Sequence, residues 1–330
     1  MHSISVAIPA SNEAAVIAQC LAGIDAAASH LAEPVSVVVL VNNSSDGTAD
    51  VARRAAAGMR CRMRVIERHL PADRADAGRA RRLAMQEAAE MCGREGIVLT
   101  TDADARLSPL TLAALARSAV ARTDVVCGSI WTSAPGERRA QEPQLLFTRP
   151  ETRAYWALAA ELRRAIDRLN GDLSDGRMPH YHESGACLAV SARFLDRIGG
   201  MPDVAESEDR ALVRRAEEAG VPVRYCDRAR AWVSARLDGR ARSGMADALR
   251  RRLTEDDPPV DSALDTVAAY GDRWRATCDA AVQGQRGPGR RAAPALRESD
   301  LARDLPALAA LVRDEVRPAM ADLRVRENAA

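Results

Sequence analysis

Aromatic side chains are scarce in this chain of 330 residues, which has four Trp, four Tyr and two Phe. Proteins that bind single-stranded nucleic acid stack successive bases on aromatic rings, so the composition argues against such a platform. Neither charge is in excess, because 47 Lys and Arg residues oppose 46 Asp and Glu residues. The chain therefore has no net basic field for nucleic acid or anionic lipid, and no nucleic-acid partner is expected.

Long hydrophobic runs and paired cysteines are also missing. No stretch of about 18 apolar residues occurs, so no transmembrane segment is expected. The N-terminal MHSISVAIPASNE has no basic region before a long apolar core, which argues against a signal peptide. The seven cysteines form no C-x-x-C pair, and most lie in apolar runs. We expect reduced core cysteines in a cytoplasmic protein rather than zinc ligands or disulfides.

What is present is an alternation of β-branched runs with longer helical patterns. Strands are predicted at 5–10, 35–43, 62–69, 96–104 and 124–131, and helices at 12–31, 48–58, 78–92 and 108–122. The last of these helices should begin with Ser108 as N-cap and Pro109 in its first turn. Strands that are apolar throughout and alternate with helices predict an α/β fold with a mostly parallel sheet flanked by helices.

The pattern changes after residue 132. A long helix is predicted at 151–170, and strands are predicted at 183–191 and 221–235. From about residue 240 the chain reads as polar helices, interrupted by a Gly, Pro and Arg linker at 283–294.

The stretch IVLTTDADAR ends a buried strand on two acids. In an open parallel sheet, ligands bind beyond the carboxyl ends of the strands, and IPASNE, VNNSSDGT and TTDADA all lie at such ends. Asp102 and Asp104 are spaced i, i+2, so an extended chain aims both to the same side. Two hard oxygen ligands suit Mg²⁺ or Mn²⁺ shared with substrate phosphates, whereas the alternative is an ordinary solvated turn.

The turn after the second strand contains two amides. Asn42 and Asn43 each offer a donor and an acceptor, which match the N–H and C=O edge of uracil or thymine better than guanine. This chemistry favours a uridine donor. In the same turn, Asp46, Gly47 and Thr48 are typical turn and cap residues.

Six motifs occur in one order over residues 3–240: IPASNE with Pro9 and Glu13, NNSSDGT, AGRARR, DAD, SGACLAVSARF with IGGM, and ESEDRALVRRAEEAG. This order resembles family 2 glycosyltransferases, which have the GT-A fold. The resemblance implies a glycosyltransferase domain over residues 1–240, with a nucleotide-sugar part at 1–131 and an acceptor part at 132–240. Residues 241–330 would form a helical C-terminal extension.

The resemblance also implies roles for particular residues. The chain would be an inverting, metal-dependent hexosyltransferase that uses a nucleoside-diphosphate sugar. The metal, Mg²⁺ or Mn²⁺, would be bound by Asp104 and Asp102. The donor would lie against these residues: Pro9, Ala10, Ser11, Glu13, Asn42, Asn43, Arg81, Thr101, Asp102 and Ala103. Asp209 would be the general base, and Glu208 would bind the acceptor or orient the site.

The acceptor side is less well marked. His180 and His182 lie on a loop expected to face the acceptor, together with Ser184 and Gly185, although exposed loop histidines without a role are the alternative. The acceptor would be a small molecule or lipid-linked. The C-terminal helices would either cover its site or mediate a homodimer.

Two departures from the family pattern concern the donor. No His lies near Ser234, where the family often has a further metal ligand, and Asn replaces the usual acids of the second turn. The loop 234–244 carries three Arg residues that could contact the diphosphate.

Other functions fit the sequence less well. A nucleotidyltransferase would need a Gly-rich phosphate loop with Lys after the first strand, and a dinucleotide-binding dehydrogenase would need G-x-G-x-x-G there. IPASNEAA has neither. A catalytically degenerate nucleotide-sugar-binding protein is the remaining alternative, and the presence of Asp102, Asp104 and Asp209 argues against it.

Overall fold

The computed structural model describes residues 3–72, 75–122, 125–132, 140–172, 179–204, 206–239, 244–291 and 294–329. The strands are β1 Ile4–Ala10, β2 Val35–Asn42, β3 Arg62–Arg68, β4 Ile97–Thr100, β5 Arg106–Leu107, β6 Val125–Trp131, β7 Leu188–Ser191 and β8 Val223–Trp232. The first seven helices are α1 Ile17–Ala28, α2 Thr48–Ala56, α3 Ala77–Cys92, α4 Thr111–Arg122, α5 Pro150–Leu169, α6 Ala192–Arg197 and α7 Glu208–Glu218. The C-terminal helices are α8 Met245–Thr254, α9 Val267–Val282, α10 Glu298–Leu311 and α11 Arg317–Ala329.

These strands form one sheet in the order β3-β2-β1-β4-β7-β6-β8-β5. β1 pairs in parallel with both β2 and β4, and β2 pairs in parallel with β3. β7 runs antiparallel between β4 and β6, while β6 and β8 are parallel. β5 adds a short antiparallel edge to β8. The predicted α/β fold with a mostly parallel sheet is confirmed.

Helices cover both faces of the sheet at its centre, which explains why β1, β2 and β4 are buried along almost their whole length. The edge strand β3, which carries Arg and Glu residues, is largely exposed. Alternate residues along β2 divide between the faces: Val37 and Val39 pack with α1, α2 and α4, whereas Val38 and Leu40 pack with α3, α6 and α7. Every residue of β2 is buried.

A third hydrophobic core lies away from the sheet. The apolar face of α5, including Tyr155, Leu162 and Ile166, packs against Trp274 of α9 and Leu308 of α10. The core continues into a π-helical segment, Val312–Val316, that joins α10 to α11. The domain boundary at residue 240 stays a prediction, and this core crosses it because α5 lies on the N-terminal side.

Several predicted boundaries differ from the structure. The helix predicted at 12–31 begins only at Ile17, and the helix predicted from Ser108 begins at Thr111. The strand predicted at 96–104 ends at Thr100, and the next two-residue strand, β5, was not predicted. The strand predicted at 183–191 begins at Leu188, after a 3₁₀ turn at Gly185–Cys187.

Among the described residues, no helix combines the length and apolar content needed to cross a bilayer.

Candidate active site

The loops that follow β1 and β2 are tied together at the carboxyl edge of the sheet. The backbone N–H of Glu13 donates to Thr48 Oγ1 at 2.8 Å, and that of Ala14 donates to Asp46 Oδ2 at 3.0 Å. Asp46 Oδ1 also accepts from the Thr48 N–H at 3.1 Å. Gly47, with φ of 77°, is the N-cap of α2, with the turn residue Asp46 before it and Thr48, the first residue of the helix, after it. The bonds to Asp46 and Thr48 hold Glu13 in place beside Pro9, Ala10 and Ser11 at the end of β1.

Asn42 and Asn43 have different surroundings, although they are adjacent. Asn42 is the last residue of β2 and is buried. Asn43 has a left-handed backbone with φ of 48°, and both ends of its amide are bonded to Leu70. Its Nδ2 donates to the Leu70 carbonyl at 2.9 Å, and its Oδ1 accepts from the Leu70 N–H at 3.0 Å. Asn43 therefore fastens β2 to the segment after β3.

The two acids of the D-A-D motif lie in a turn after β4, closed by an N–H of Ala105 that donates to the Asp102 carbonyl at 3.1 Å. They bind different arginines. Asp102 Oδ1 accepts from Arg81 Nη2 at 2.6 Å, whereas Asp104 Oδ2 lies 3.2 Å from Arg236 Nη2. Burial and the Asp102 carboxylate raise the pKa of Asp104 to about 6, against the opposing effect of Arg236.

Arg81 links the turn after β4 to the start of α7. It lies in α3 and is almost fully buried. Besides Asp102, its guanidinium donates to Glu208 Oε1 at 2.8 Å and to Thr100 Oγ1 at 2.8 Å. Its Nη1 also donates to the Gly185 carbonyl at 3.1 Å. The predicted contact of Arg81 with phosphate or base remains untested, and in this structure its donors bind protein groups.

Gly185 lies against this guanidinium. A Cβ built at Gly185 would be 2.4 Å from Arg81 Cζ, so a larger residue there would displace the arginine. Beside it, the predicted donor residue Thr101 donates its hydroxyl to the Ala186 carbonyl at 2.8 Å. Ala103 is buried in the D-A-D turn. Ser184 accepts from the Ala186 N–H and so begins the 3₁₀ turn. The segment 184–187 therefore packs directly beside the D-A-D turn.

The second acid pair begins α7. Glu208 faces Arg81, while Asp209 Oδ2 accepts from the backbone N–H of Gly185 at 3.0 Å. Burial raises the pKa of Asp209, with Arg210 acting in the opposite direction. Glu208 is therefore paired with Arg81 of α3, whereas Asp209 is paired with the adjacent Arg210 and has a raised pKa.

Arg210 connects this acid pair to the C-terminal extension. Its Nη1 donates to Asp209 Oδ1 at 3.2 Å. Its Nε and Nη2 form a fork on the two oxygens of Asp261, at 2.7 and 2.6 Å. Sequence reasoning missed Asp261, since nothing in DPPVDSAL marks one acid among several as a partner.

The two predicted acceptor histidines are packed rather than exposed. His182 is 3% exposed, and its Nδ1 accepts from the Ile130 N–H at 3.1 Å. His180 Nδ1 accepts from the His182 N–H at 2.9 Å, and the ring centroids are 4.5 Å apart. Burial, followed by the effect of His182, lowers the pKa of His180 well below its usual range. The alternative of exposed loop histidines is wrong, because these rings fix the loop against β6.

Arg236 joins the site from the loop after β8. Its Nη2 donates to Glu13 Oε1 at 2.6 Å and its Nη1 to Glu13 Oε2 at 3.3 Å. The same Nη2 faces Asp104. We call the set Glu13, Arg81, Asp102, Asp104 and Arg236 the edge cluster. The other two arginines of the 234–244 loop, Arg240 and Arg242, lie outside the described residues.

A second charged cluster lies in the interior, and sequence reasoning missed it. Glu183 accepts from Arg163 Nη2 at 2.7 Å and from Arg290 Nη2 at 2.7 Å. Tyr225 donates to the same Glu183 at 3.2 Å. We call the set Arg163, Glu183, Tyr225 and Arg290 the buried arginine cluster. The available signal was an acid inside the apolar run HESGACLAV.

The sequence model of the family described as "Glycosyltransferase like family 2" matches residues 2–254. The chain belongs to this family. The match includes β1 to β8, the edge cluster and the acid pair, and it ends with α8. No curated protein matches the chain by sequence.

Solved glycosyltransferase structures share the fold. A mannosyltransferase from Pyrobaculum calidifontis, in complex with GDP-Man and Mn²⁺, is 19% identical with a TM-score of 0.52, over 100% of this chain and 80% of that one. S. aureus TarS 1-349, in complex with UDP-GlcNAc, is 16% identical with a TM-score of 0.50, over 96% and 74% of the chains. Another TarS 1-349 structure is matched over 60% of its length. At these identities the likeness shows the GT-A fold alone.

The donor atoms available for a metal in this family 2 member are hard oxygens. Asp102 and Asp104 are 36% and 19% exposed at their side chains, so both remain reachable. Within the described ranges, no group of three or more His, Cys, Asp or Glu side chains forms a ready metal site. Mg²⁺ commonly takes one or two carboxylates and completes its shell with water and phosphate oxygens. The two acids therefore fit a cation that is bound together with a diphosphate.

Proposed function

We propose that this chain transfers a sugar from a nucleoside-diphosphate sugar to an acceptor hydroxyl, with inversion at the anomeric carbon. The observation that carries the proposal is the position of Arg81. One guanidinium bonds Asp102 of the D-A-D turn at 2.6 Å and Glu208 of the acid pair at 2.8 Å. The acids expected to serve donor and acceptor are therefore neighbours across a single side chain.

The donor diphosphate is proposed to lie beyond the ends of β1, β2 and β4, where ligands of open parallel sheets bind. Asp104, with Asp102, would hold Mg²⁺ or Mn²⁺ there. A bound cation would neutralise the charge that develops on the leaving diphosphate. Pro9, Ala10, Ser11, Glu13, Thr101 and Ala103 would line the donor.

Asp209 is proposed as the general base. Its carboxylate takes the proton of the acceptor hydroxyl while the hydroxyl oxygen bonds to the anomeric carbon. The bond from that carbon to the diphosphate oxygen breaks in the same step, and its electron pair leaves with the nucleoside diphosphate. The raised pKa of Asp209 supports this role, because a base works best when its pKa approaches the operating pH.

Glu208 and Arg210 are proposed to orient the base. Glu208 is held by Arg81, so it fixes the start of α7. Arg210 contacts Asp209 and is itself held by the fork on Asp261. A carboxylate restrained by the Gly185 N–H and by Arg210 loses little freedom when the acceptor arrives, which favours a reactive geometry.

We propose UDP as the nucleotide, on the amide chemistry of Asn42. Asn43 no longer supports this preference, since both ends of its amide are bonded to Leu70. A mannosyltransferase of the same fold is complexed with GDP-Man and TarS with UDP-GlcNAc, so the fold itself is compatible with either base.

The acceptor, assembly and location remain proposals of the same kind. The acceptor would be a small-molecule or lipid-linked hydroxyl that reaches Asp209 past Ser184 and Gly185. A homodimer through the C-terminal helices is a prediction that no contact here tests. The seven free thiols support a reducing, cytoplasmic location.

The first experiment is a thermal-shift series with UDP, GDP, dTDP and CDP, each with and without Mn²⁺. A ligand at 100 times its Kd stabilises the folded chain by about 2.7 kcal/mol. We expect UDP with Mn²⁺ to give the largest shift and Asp104→Ala to abolish it. If GDP is the only diphosphate that stabilises the chain, the assignment of uracil as the nucleotide base is wrong. If no diphosphate stabilises the chain in the presence of Mn²⁺, the proposed donor site is wrong.

The second experiment tests Asp209 as the general base. Asp209→Asn keeps an oxygen to accept from the Gly185 N–H but cannot take a proton, so we expect a loss of about 10²–10⁴ in kcat with unchanged UDP binding. The matched control is Glu218→Gln at the exposed end of the same helix. Full activity in Asp209→Asn would remove Asp209 as base. Nucleotide binding without turnover in the parent protein would favour the degenerate binding protein.

A further inference from the structure

Arg236 lies where two carboxylates from different strand ends converge. Its side chain is 30% exposed, and it reaches Glu13 after β1 and Asp104 after β4. The closest approaches are 2.6 Å to Glu13 Oε1 and 3.2 Å to Asp104 Oδ2, both from the same Nη2 atom. A single guanidinium nitrogen therefore serves both acids.

A cation between these two partly buried acids reduces their mutual repulsion. Glu13 and Asp104 are 9% and 19% exposed, and two such carboxylates repel each other more strongly than they would in water. In this structure the cation between the two acids is the guanidinium of Arg236. It comes from the loop where Ser234 stands in place of a further metal ligand, and the Arg236 N–H donates to Ser234 Oγ at 3.3 Å.

A guanidinium and a metal ion cannot bind the same carboxylate oxygen in the same way. Arg has five N–H donors and no lone pair, so it cannot ligate a metal. Arg236 and a divalent cation instead seek the same Asp104 oxygen. A diphosphate favours the release of Arg236 from Asp104, because its oxygens offer the guanidinium a negatively charged, bidentate partner, as a carboxylate does.

We propose that Arg236 competes with the divalent cation for Asp104 in the free protein and moves to the diphosphate when the donor binds. This inference rests on the proposed metal site at Asp104. Metal and nucleotide then bind with positive coupling, since each favours the arrangement in which Arg236 has left Asp104. The coupling is reciprocal: the nucleotide tightens metal binding by the factor by which metal tightens nucleotide binding.

The test measures free Mn²⁺ by electron paramagnetic resonance during titration of the protein, with and without UDP. Arg236→Ala should bind Mn²⁺ without nucleotide at least about 5-fold more tightly than the parent, and the tightening by UDP should shrink by a similar factor. Arg236→Lys, which keeps the charge but loses the fork, should fall between the two. Arg230→Ala on β8 is the control, because this exposed side chain donates to the nearby Asp227 carbonyl rather than to the edge cluster.

Asp104→Ala distinguishes failure of this inference from failure of the metal site. If Asp104→Ala loses Mn²⁺ binding while Arg236→Ala and Arg236→Lys match the parent, the competition is overturned and the metal site stands. If Asp104→Ala binds Mn²⁺ as the parent does, the proposed metal site falls and the competition falls with it. Tighter Mn²⁺ binding in Arg236→Ala but not in Arg230→Ala supports the inference.

Discussion

The edge cluster and the buried arginine cluster use the same chemistry in different ways. In the buried arginine cluster, the Glu183 side chain is 0% exposed and the two arginines that hold it are 6% and 2% exposed. In the edge cluster, Asp102 is 36% exposed, although it bonds a buried Arg81. One cluster is sealed from solvent, and the other keeps one side of its carboxylates open to it.

This difference separates structural charges from charges that can serve a ligand. Both oxygens of Glu183 are bonded to guanidinium groups and the side chain is fully buried, so a ligand from solvent cannot reach it. In the edge cluster, Arg236 is divided between Glu13 and Asp104, and the acids can exchange this shared cation for another. Burial and complete pairing indicate a role in stability, whereas exposure and shared pairing indicate a role in binding.

The largest expected effect comes from breaking the sealed cluster. Glu183→Ala leaves Arg163 buried without its acid and leaves Arg290 with only the longer pair to Glu217 at 3.6 Å, and an uncompensated buried charge costs about 3–5 kcal/mol of unfolding free energy. Urea unfolding measures the loss. The control is Glu87→Ala, which removes the partly exposed pair with Arg64 and should cost about 0–1 kcal/mol. Equal losses in the two variants would contradict the distinction between the clusters.

The pH dependence of stability tests the same difference between the two clusters. Burial alone would raise the pKa of Glu183, but Arg290 and Arg163 outweigh it and lower the pKa from 4.5 to about 2. The unfolded chain therefore binds the proton first as pH falls, and stability present above pH 4.5 is lost towards pH 2. Between pH 6 and pH 3 this group should account for about 2 kcal/mol of the decrease in unfolding free energy. Glu183→Gln should flatten the decrease by that amount in urea titrations, and Glu87→Gln should not.

A smaller effect is expected where the C-terminal extension meets the acid pair. Asp261→Asn weakens the fork that holds Arg210, so Asp209 loses part of its restraint. We expect kcat to fall by about 10- to 100-fold while UDP and Mn²⁺ binding stay unchanged. Steady-state kinetics separates kcat from KM, and Asp261→Glu should recover part of the rate. A rise in KM with unchanged kcat would show that Asp261 does not act through the base.

The smallest effect concerns Asn43. Asn43→Ala removes two hydrogen bonds to Leu70 and places a less suitable residue at φ of 48°, so we expect a loss of about 1–2 kcal/mol in unfolding free energy. Asn43→Gly tolerates the backbone and should lose less. UDP affinity should be unchanged in both variants. A clear loss of UDP affinity in Asn43→Gly would restore the base-reading role predicted from the sequence.

The side of the sheet on which the acids lie could be predicted because its signal is local, although the strand predicted to end at residue 104 ends at Thr100. An apolar run followed by acids is enough to place Asp102 and Asp104 at the carboxyl edge, and α3 was expected to bring Arg81 there. The sequence could not predict that Asp102 binds Arg81 whereas Asp104 binds Arg236. Arg236 lies far along the chain, and its position depends on how β8 packs. A two-residue strand such as β5 is likewise too short for any periodic pattern.

The helix start at Ile17 shows how tertiary contacts override propensity. Residues 12–16 have a helical composition, but Asn12 has φ of 54° and the Glu13 N–H is taken by Thr48. The left-handed Asn12 and this one bond across 35 residues hold the segment before Ile17 outside the helix. For α5, periodicity predicted the helix but gave no indication that its apolar face meets α9 and α10.

The core shared by α5 and α10 has a consequence for synthesis of the chain. A ribosome adds about 5–20 residues per second, so α5 is complete roughly ten seconds before α10 exists. During that interval the apolar face of α5, with Tyr155, Leu162 and Ile166, lacks the leucines of α10 that later cover it. The sheet can form in this time, but the nascent chain carries an apolar surface that chaperones would recognise. The order of translation therefore leaves this core incomplete until both α10 and the π-helical segment Val312–Val316 have been made.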